Sequence, residues 1–328
     1  MVRCGSSIYS SIDDFEADLP LRANSIQLQP GRFRARITWL ELPRVRLVFV
    51  REAPARIAYV ASPSDHVLIA FPGHRAAPLI CDGISLHWGD AIIYNPGSRF
   101  HQRTAEAGAW GAISIAPSTL RSAGKILHDR ELVIPPDGSV WRSRESDMRE
   151  LLGLHKQAMR FAEGALDRVA HAEIVRSLED DLVVSIVRAF ACSGAQCAQD
   201  TERSRVHAMR RLEEVLDMPR GNLRVPDVYK SAGLTKTQLQ TFSRQVLGLS
   251  VARYVRVRRL KQACQALLSI ASRAEAAEVV KEYGFADLEK FAAAFYRAFG
   301  ATASSLCLLN ILNGSGHRGE GNQRRGRR

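Results

Sequence analysis

This 328-residue chain lacks most of what a membrane-spanning or catalytic protein displays. No run reaches the roughly 18 uncharged apolar residues that a transmembrane helix needs, which excludes such a span. It has no GxSxG elbow, HExxH helix, Walker loop or GxGxxG turn, so hydrolase, zincin and nucleotide-binding chemistries find no support. The six cysteines (4, 81, 192, 197, 264 and 307) form no CxxC pair, which argues against a disulfide scaffold or a zinc framework. They are expected to be reduced, mostly buried thiols of a cytoplasmic protein. Residues 1–13 lack the roughly 7–15-residue apolar core of a secretory signal, so none is expected. Acid is also scarce, with 34 Asp+Glu against 46 Lys+Arg and a formal charge of +12. Otherwise the composition is that of an ordinary globular chain, at 46% hydrophobic and 24% charged. At roughly 150 residues per domain, the length suggests two domains.

The charge is unevenly placed. Residues 1–205 carry a net +1, residues 206–309 a net +7, and residues 310–328 a net +4. A near-neutral half joined to a basic half suggests one module for a neutral partner and one for a polyanion, nucleic acid before a membrane surface. A biased, Arg-rich composition is the alternative reading for the tail, which has almost no apolar residue after Leu312 and is expected to be disordered.

From residue 25 to 115, runs such as RARITWLEL, VRLVFV, ARIAYVA, HVLIAF, ISLHW, DAIIYN and GAISIA alternate with turn residues, the pattern of an antiparallel sandwich or barrel. Two helical periodicities follow, at 143–161 and 165–190, marked by Met148, Leu151, Leu152, His155 and Met159, then Ile174, Leu178, Leu182, Ile186 and Phe190. Their apolar faces could pack on the sheet or on a second copy. Residues 192–205 are small, polar and aperiodic, and are assigned as a linker.

Every apolar run after residue 206 has a period near 3.6, with Thr235, Ser250 and Asp287 placed as N-caps and Gly233, Gly248, Gly284 and Gly300 as stops. The spacing predicts an all-α bundle of about seven helices. A short helix at 225–232, a Gly turn and a capped helix to 247 form one helix-turn-helix; a second, at 275–298, repeats it 52 residues on, counted from Thr235 to Asp287. A helix from Ser250 to Leu268, roughly 28 Å long, joins them and can hold two recognition helices about one turn of B-DNA apart.

These residues carry a resemblance. Gly233-Leu-Thr-Lys-Thr-Gln-Leu239-Gln, Leu247-Gly248-Leu-Ser250-Val-Ala-Arg-Tyr254, Arg258-Arg259-Leu260-Lys-Gln-Ala263, Tyr283-Gly284-Phe285-Ala-Asp287 with Phe291, and Phe295-Tyr-Arg297-Ala-Phe299-Gly300 resemble the AraC/XylS family of bacterial transcription regulators. The resemblance implies a seven-helix DNA-binding domain over 206–309 and, as partners, double-stranded DNA and RNA polymerase. Tyr229 and Val280 stand where that family usually has Ala, Ser243 where it has an aromatic residue, and Ala303, Leu306 and Cys307 where it has Pro, Tyr and Arg. A diverged but folded member is one reading and a decayed one the other.

Leu239 and Phe242 are expected to point inward on the first recognition helix. Lys236, Thr237, Gln240, Thr241 and Arg244 then face DNA, where Gln suits adenine, Lys and Arg suit guanine, and a Thr methyl suits thymine. On the second, Phe291 and Phe295 are expected in the core, leaving Glu289, Lys290 and Ala293 outward as a poorer reading surface. Arg256, Arg258 and Lys261 are candidate phosphate contacts, and a basic residue of this helix is expected to pair with a carboxylate such as Glu278 or Glu282.

Gly89-Asp90, Pro96-Gly97 and Phe100-His101 resemble the cupin-like barrel that many members of the same family carry before a pair of dimerisation helices. The expected organisation is therefore two-domain. A cupin-like effector-binding domain spans 1–142 and dimerisation helices 143–191; the linker covers 192–205, the DNA-binding domain 206–309 and a basic tail 310–328. The expected function is a cytoplasmic, homodimeric, sequence-specific transcription regulator controlled by a small molecule in the barrel, with no enzyme activity, cofactor, metal or membrane contact. The aromatic residues Trp39, Phe49, Tyr59, Trp88 and Trp110 could line a pocket but are expected as core. Two alternatives stand: a cupin-type metalloenzyme using His66, His74, His87 or His101, and a protein that coats DNA without sequence preference.

Overall fold

A computed structural model describes residues 2–29, 31–104, 107–129, 131–164, 172–191, 194–196, 200–217, 230, 233–267, 270 and 273–299. It divides into two compact units, residues 1–215 with 229–251 and residues 216–228 with 252–328.

The first unit is built on two antiparallel sheets. One contains, in order, β1 (Arg3–Tyr9), β3 (Arg34–Glu41), β4 (Val45–Ala53), β11 (Gly108–Ile115), β6 (Val67–Pro72), β9 (Ala91–Tyr94), β12 (Ser139–Arg142) and β13 (Gly194–Gln196). The other contains β2 (Arg22–Gln27), β5 (Arg56–Ala61), β10 (Arg99–Thr104), β7 (Leu79–Cys81) and β8 (Ile84–Leu86). Each expected apolar run falls on a strand of this barrel-like pair. Period-2 alternation sends Ala35, Ile37, Val48, Val50, Ala112 and Trp110 between the sheets. There they meet Phe15 of the short helix α1 (Ile12–Ala17), Phe33, and the stacked rings of Tyr94 and Phe100, 3.7 Å between centroids.

The opposite face of the larger sheet is covered by α2 (Pro117–His128), α3 (Glu145–Gly164) and α4 (Ala172–Ala191). The two expected helical periodicities are therefore present, except that 165–171 lies outside the described residues. Their apolar faces are used against this sheet and each other: Met148, Leu151, Leu152, Leu182, Ile186 and Phe190 join Leu47, Ile69, Ile113 and Trp141 in one core. Buried apolar surface is the main stabilising term here, and the sheet takes up most of these faces, while Ile174 of α4 stays 54% exposed.

His155, read from its spacing as a member of the α3 apolar face, is buried there. Its ring lies against Phe71 (5.0 Å) and Phe49 (6.2 Å), and its Nε2 donates to the Val48 carbonyl at 3.1 Å. Gly111 makes this approach possible, because a Cβ there would lie 2.4 Å from the Phe71 ring and 3.2 Å from His155. Burial pulls the imidazole down to about 4. The unfolded chain, with an ordinary histidine, then binds the extra proton first as pH falls. Stability is present in full above about 6.5 and is lost between about 6.5 and 4, by about 3 kcal/mol at the lower end. We expect His155→Leu to flatten that part of a urea-midpoint-against-pH curve; an unchanged acid slope would place the loss on other groups.

The assigned linker is different from expectation. Gly194–Gln196 pairs with β12 as an edge strand, and the helix α5 (Asp200–Asp217) begins before residue 206. Backbone pairing needs no apolar pattern at a sheet edge, so the composition of 192–205 gave no signal of it. Four further helices are described: α6 (Lys236–Leu247), α7 (Val251–Leu267), α8 (Arg273–Glu282) and α9 (Leu288–Phe299). The helix expected at 225–232 lies outside the described residues except Lys230. Gly300, Ala303, Leu306, Cys307 and the 310–328 tail also lie outside them.

The second unit has its own core, with Leu260, Ala263 and Leu267 of α7 against Ala276 and Val280 of α8 and Phe291, Ala294 and Phe295 of α9. Val280 is fully buried within it, so the substitution of the family's usual small residue is accommodated rather than excluded. Among the described residues no helix is long and apolar enough to cross a membrane.

Candidate nucleic-acid interface

The first recognition helix, α6, is fixed at both ends by local chemistry. Thr235 Oγ1 accepts from the Gln238 amide at 3.2 Å while Gln238 Oε1 accepts from the Thr235 amide at 3.1 Å, a complete capping box. At the other end Gly248 takes a left-handed conformation (φ 69°) that favours glycine, and its amide donates to the Arg244 carbonyl. The buried stripe is Leu239, Ser243, Val246 and Leu247.

Phe242, expected inward, is half-buried instead, and Ser243 occupies the inward position four residues after Leu239. Its hydroxyl is satisfied by donating to the Gln240 carbonyl at 3.0 Å, which explains how a serine fits where the family usually has an aromatic ring. Thr237, Thr241 and Arg244 are exposed on the flank away from this stripe, Lys236 is exposed in the first turn, and Gln240 is half-buried at the stripe's edge.

The second recognition helix, α9, starts at Asp287, whose Oδ1 accepts from the Lys290 amide at 2.7 Å. That bond, together with the Lys290 ammonium 3.4 Å from Oδ2, holds the Asp287 carboxyl below the usual range. Lys290 is exposed but tied back to its own cap, which competes with any phosphate. Glu289 and Ala293 are exposed as expected, and Phe291 and Phe295 are core. Tyr296 (57% exposed) and Arg297 extend the same outer surface; the sequence reading passed over them, although they follow Ala293 by one helical turn.

The phosphate candidates on α7 divide. Arg256 is exposed. Arg258 and Lys261 are buried, at 1% and 6% exposure, and the Arg258 guanidinium donates to Asp217 at 2.9 Å. They are therefore withdrawn as phosphate contacts. The expected ion pair within the domain exists, but its acid is Asp217 at the end of α5 rather than Glu278 or Glu282. An arginine buried among α7 packing residues needs such a partner to offset its desolvation.

The first unit also shows what holds α6. Asp82 and Gly83 form the two-residue turn between β7 and β8, both with positive φ, as an Asp-Gly hairpin requires. The Asp82 carboxylate accepts from the His101 amide at 2.8 Å and from Tyr94 Oη at 3.3 Å. His101, projecting from β10, meets Glu213 of α5 with Nε2 2.8 Å from Oε1, both side chains at most 2% exposed. Arg205 of α5 donates to the Asp82 carbonyl at 3.2 Å and to Gln245 Oε1 of α6 at 3.4 Å. Arg103 of β10 reaches the Gln245 carbonyl. Arg210 of α5 pairs with Asp137 at 2.5 Å. Burial first, and the Glu213 charge second, push the nearby Tyr59 hydroxyl up to about 12. One face of the smaller sheet therefore clamps α5 and the C-terminal end of α6, while Lys236, Thr237, Thr241 and Arg244 of α6 stay outside the clamp.

The four histidines considered for a metal are dispersed: His74 and His87 are exposed, His66 lies beside Asp65, and His101 is in the clamp. Among the described residues, no three His, Cys, Asp or Glu side chains are arranged to hold a metal ion. Trp110 is core, Trp39 and Phe49 are half-buried, and Trp88 is exposed.

Residues 228–306 match a family model described as a helix-turn-helix domain. They bracket both recognition helices, so the chain carries a helix-turn-helix domain. Its residue pattern is similar to that of AraC-type helix-turn-helix domains. Among solved structures, an AraC-like transcriptional activator, CuxR, is 17% identical over 80% of this chain and 95% of its own, with a TM-score of 0.44. ToxT from Vibrio cholerae O395, bound to (E)-4-(8-methylnaphthalen-1-yl)but-3-enoic acid, is 13% identical over 82% of this chain and all of its own, with a TM-score of 0.29. An RmlC-like cupin from Shewanella frigidimarina covers 34% of this chain and 93% of its own at 11% identity, with a TM-score of 0.21.

Proposed function

We propose that the chain is a sequence-specific transcription regulator that reads DNA chiefly through the outer face of α6 and answers to a small molecule held by its barrel domain. The observation that carries this reading is the capped α6, with Lys236, Thr237, Thr241 and Arg244 free of its buried stripe and Gln240 at its edge. The α9 surface, with Glu289 exposed and Lys290 bound to its own cap, contributes less base reading. The clamp on α5 and α6 gives the barrel a physical route to the DNA-binding helix, because anything that shifts β10 or the Asp82 turn shifts the contacts of Gln245. Cytoplasmic location, pairing of two copies on DNA and contact with RNA polymerase belong to the same reading.

Selection from randomised duplexes by the full chain tests it. The expected product is a defined motif with two half-sites about 10 base pairs apart. Recovery of unenriched sequences would mark a protein that coats DNA without preference. On a selected site, Lys236→Ala is expected to weaken binding and to lower the salt slope by about one if its contact is to phosphate. An unchanged slope with an equal loss of affinity would assign Lys236 to a base instead.

A further inference from the structure

On the outer face of the larger sheet, the register aligns Ile8, Arg36, Arg51 and Ala109 as one row across β1, β3, β4 and β11. Arg34 opposes Ala53 in the next row. Two arginines directly opposite on one face repel each other, an arrangement that costs stability unless something negative lies between them. The preceding row, Thr38, Phe49, Gly111 and Phe71, is capped by α3, where His155 covers the rings and Glu163 accepts from Thr38 at 3.1 Å. Glu163 lies one residue before Gly164, the last described residue of α3.

The result is a groove of about 530 Å³ walled by Arg34, Arg36, Arg51 and His74 and floored by Ala53 and Ala109. Among the described residues none of its three arginines makes an ion pair. Its one lining carboxylate, Glu52, is turned the other way, with both oxygens held by Arg56 at 2.6 and 3.1 Å. The Arg51 guanidinium is steadied over the Phe49 ring at 5.4 Å, and Ile8, 72% exposed, adds an apolar wall.

We infer that this groove binds a small organic anion, with a phosphate or carboxylate between Arg36 and Arg51 and an apolar or ring portion against Ile8. The volume is that of a metabolite site, and planar guanidinium forks match carboxylate and phosphate oxygens in pairs. The inference rests on the effector reading, which it sharpens by giving the chemical class and by placing the ligand outside the packed space between the sheets. It does not depend on which bases α6 reads.

Phenyl phosphate, benzoate and inorganic phosphate are the probes, with potassium chloride at matched ionic strength as the reference. For the full chain, phenyl phosphate is expected to bind saturably in calorimetry and to raise the melting temperature above the chloride value. Arg36→Gln and Arg51→Gln are each expected to lose about tenfold or more in affinity. In chloride alone, Arg36→Gln should melt no lower than the unmodified chain, because the repulsion is relieved. Arg121→Gln, an exposed arginine on α2, should keep the full response. Benzoate against phenyl phosphate separates carboxylate from phosphate preference, and either one binding supports the inference.

Responses to phenyl phosphate and to benzoate that both equal that of chloride, or a response preserved in both groove variants, would overturn it. Displacement of phenyl phosphate by duplex DNA would overturn it in favour of a backbone contact. Failure here with an intact selected DNA motif removes the groove alone, whereas loss of the motif removes the regulator reading itself.

Discussion

Replacing His101 by alanine is expected to lower the stability of the barrel unit by about 2–3 kcal/mol. The carboxylate of Glu213 is fully buried, and the imidazole 2.8 Å away is a hydrogen-bond partner that water cannot replace without entering the seam. Removing one partner of a buried, charged hydrogen bond costs about that much. Glu213→Gln keeps a hydrogen-bonding group in place and should cost less than His101→Ala. The loss should be local as well as global. Amides of α5 and of the C-terminal end of α6 are expected to exchange faster, since Arg205 and Arg103 reach the same Gln245 from elements that His101 helps to hold. A cost below about 0.5 kcal/mol, with α5 exchange unchanged, would mean that the clamp is not closed in solution.

A larger effect is expected at Glu52. Its side chain and that of Arg56 are at most 1% exposed, four residues apart, and bonded through both carboxylate oxygens. Ser25 and Gln102 take up further guanidinium donors, and Thr104 donates to Glu52. Glu52→Ala leaves a buried guanidinium without its counter-charge and should cost about 3–5 kcal/mol. The double replacement Glu52→Leu with Arg56→Leu should recover most of that loss, because two matched apolar groups need no partner. Urea midpoints of the single and double variants check this. A double variant as unstable as the single one would show that the pair holds the sheets together through its wider hydrogen bonds instead.

These two sites also mark where the sequence ceased to be legible. The capping box of α6, its closing Gly248 and the strands with apolar alternation could be read directly, because each depends on neighbours within four residues or on a period of two. β10, with the sequence RFHQRT, could not. Its buried Gln102 and Thr104 belong to the Glu52–Arg56 network, and its His101 finds a partner 112 residues away, so no local pattern reports them. α7 failed for another reason. Its VRVRRLK stretch distributes basic and apolar residues all round the helix, so spacing assigns no outer face, and Arg258 and Lys261 were read outward when they are buried. The Asp82-Gly83 pair was a readable hairpin signal that went unused, and it positions the carboxylate at the root of the clamp.

Central to the proposed function is the claim that α6 reads bases while its other end is held by the barrel. Gln240 tests this most directly, being the adenine-reading candidate, half-buried at the edge of the stripe, on a helix whose ends are fixed by other residues. The measurement is the affinity of Gln240→Ala for a duplex selected by the unmodified chain and for a random duplex of equal length, at one salt concentration. The account predicts a loss of about tenfold or more on the selected site and no loss on the random one. Equal loss on both, or none on either, would contradict it.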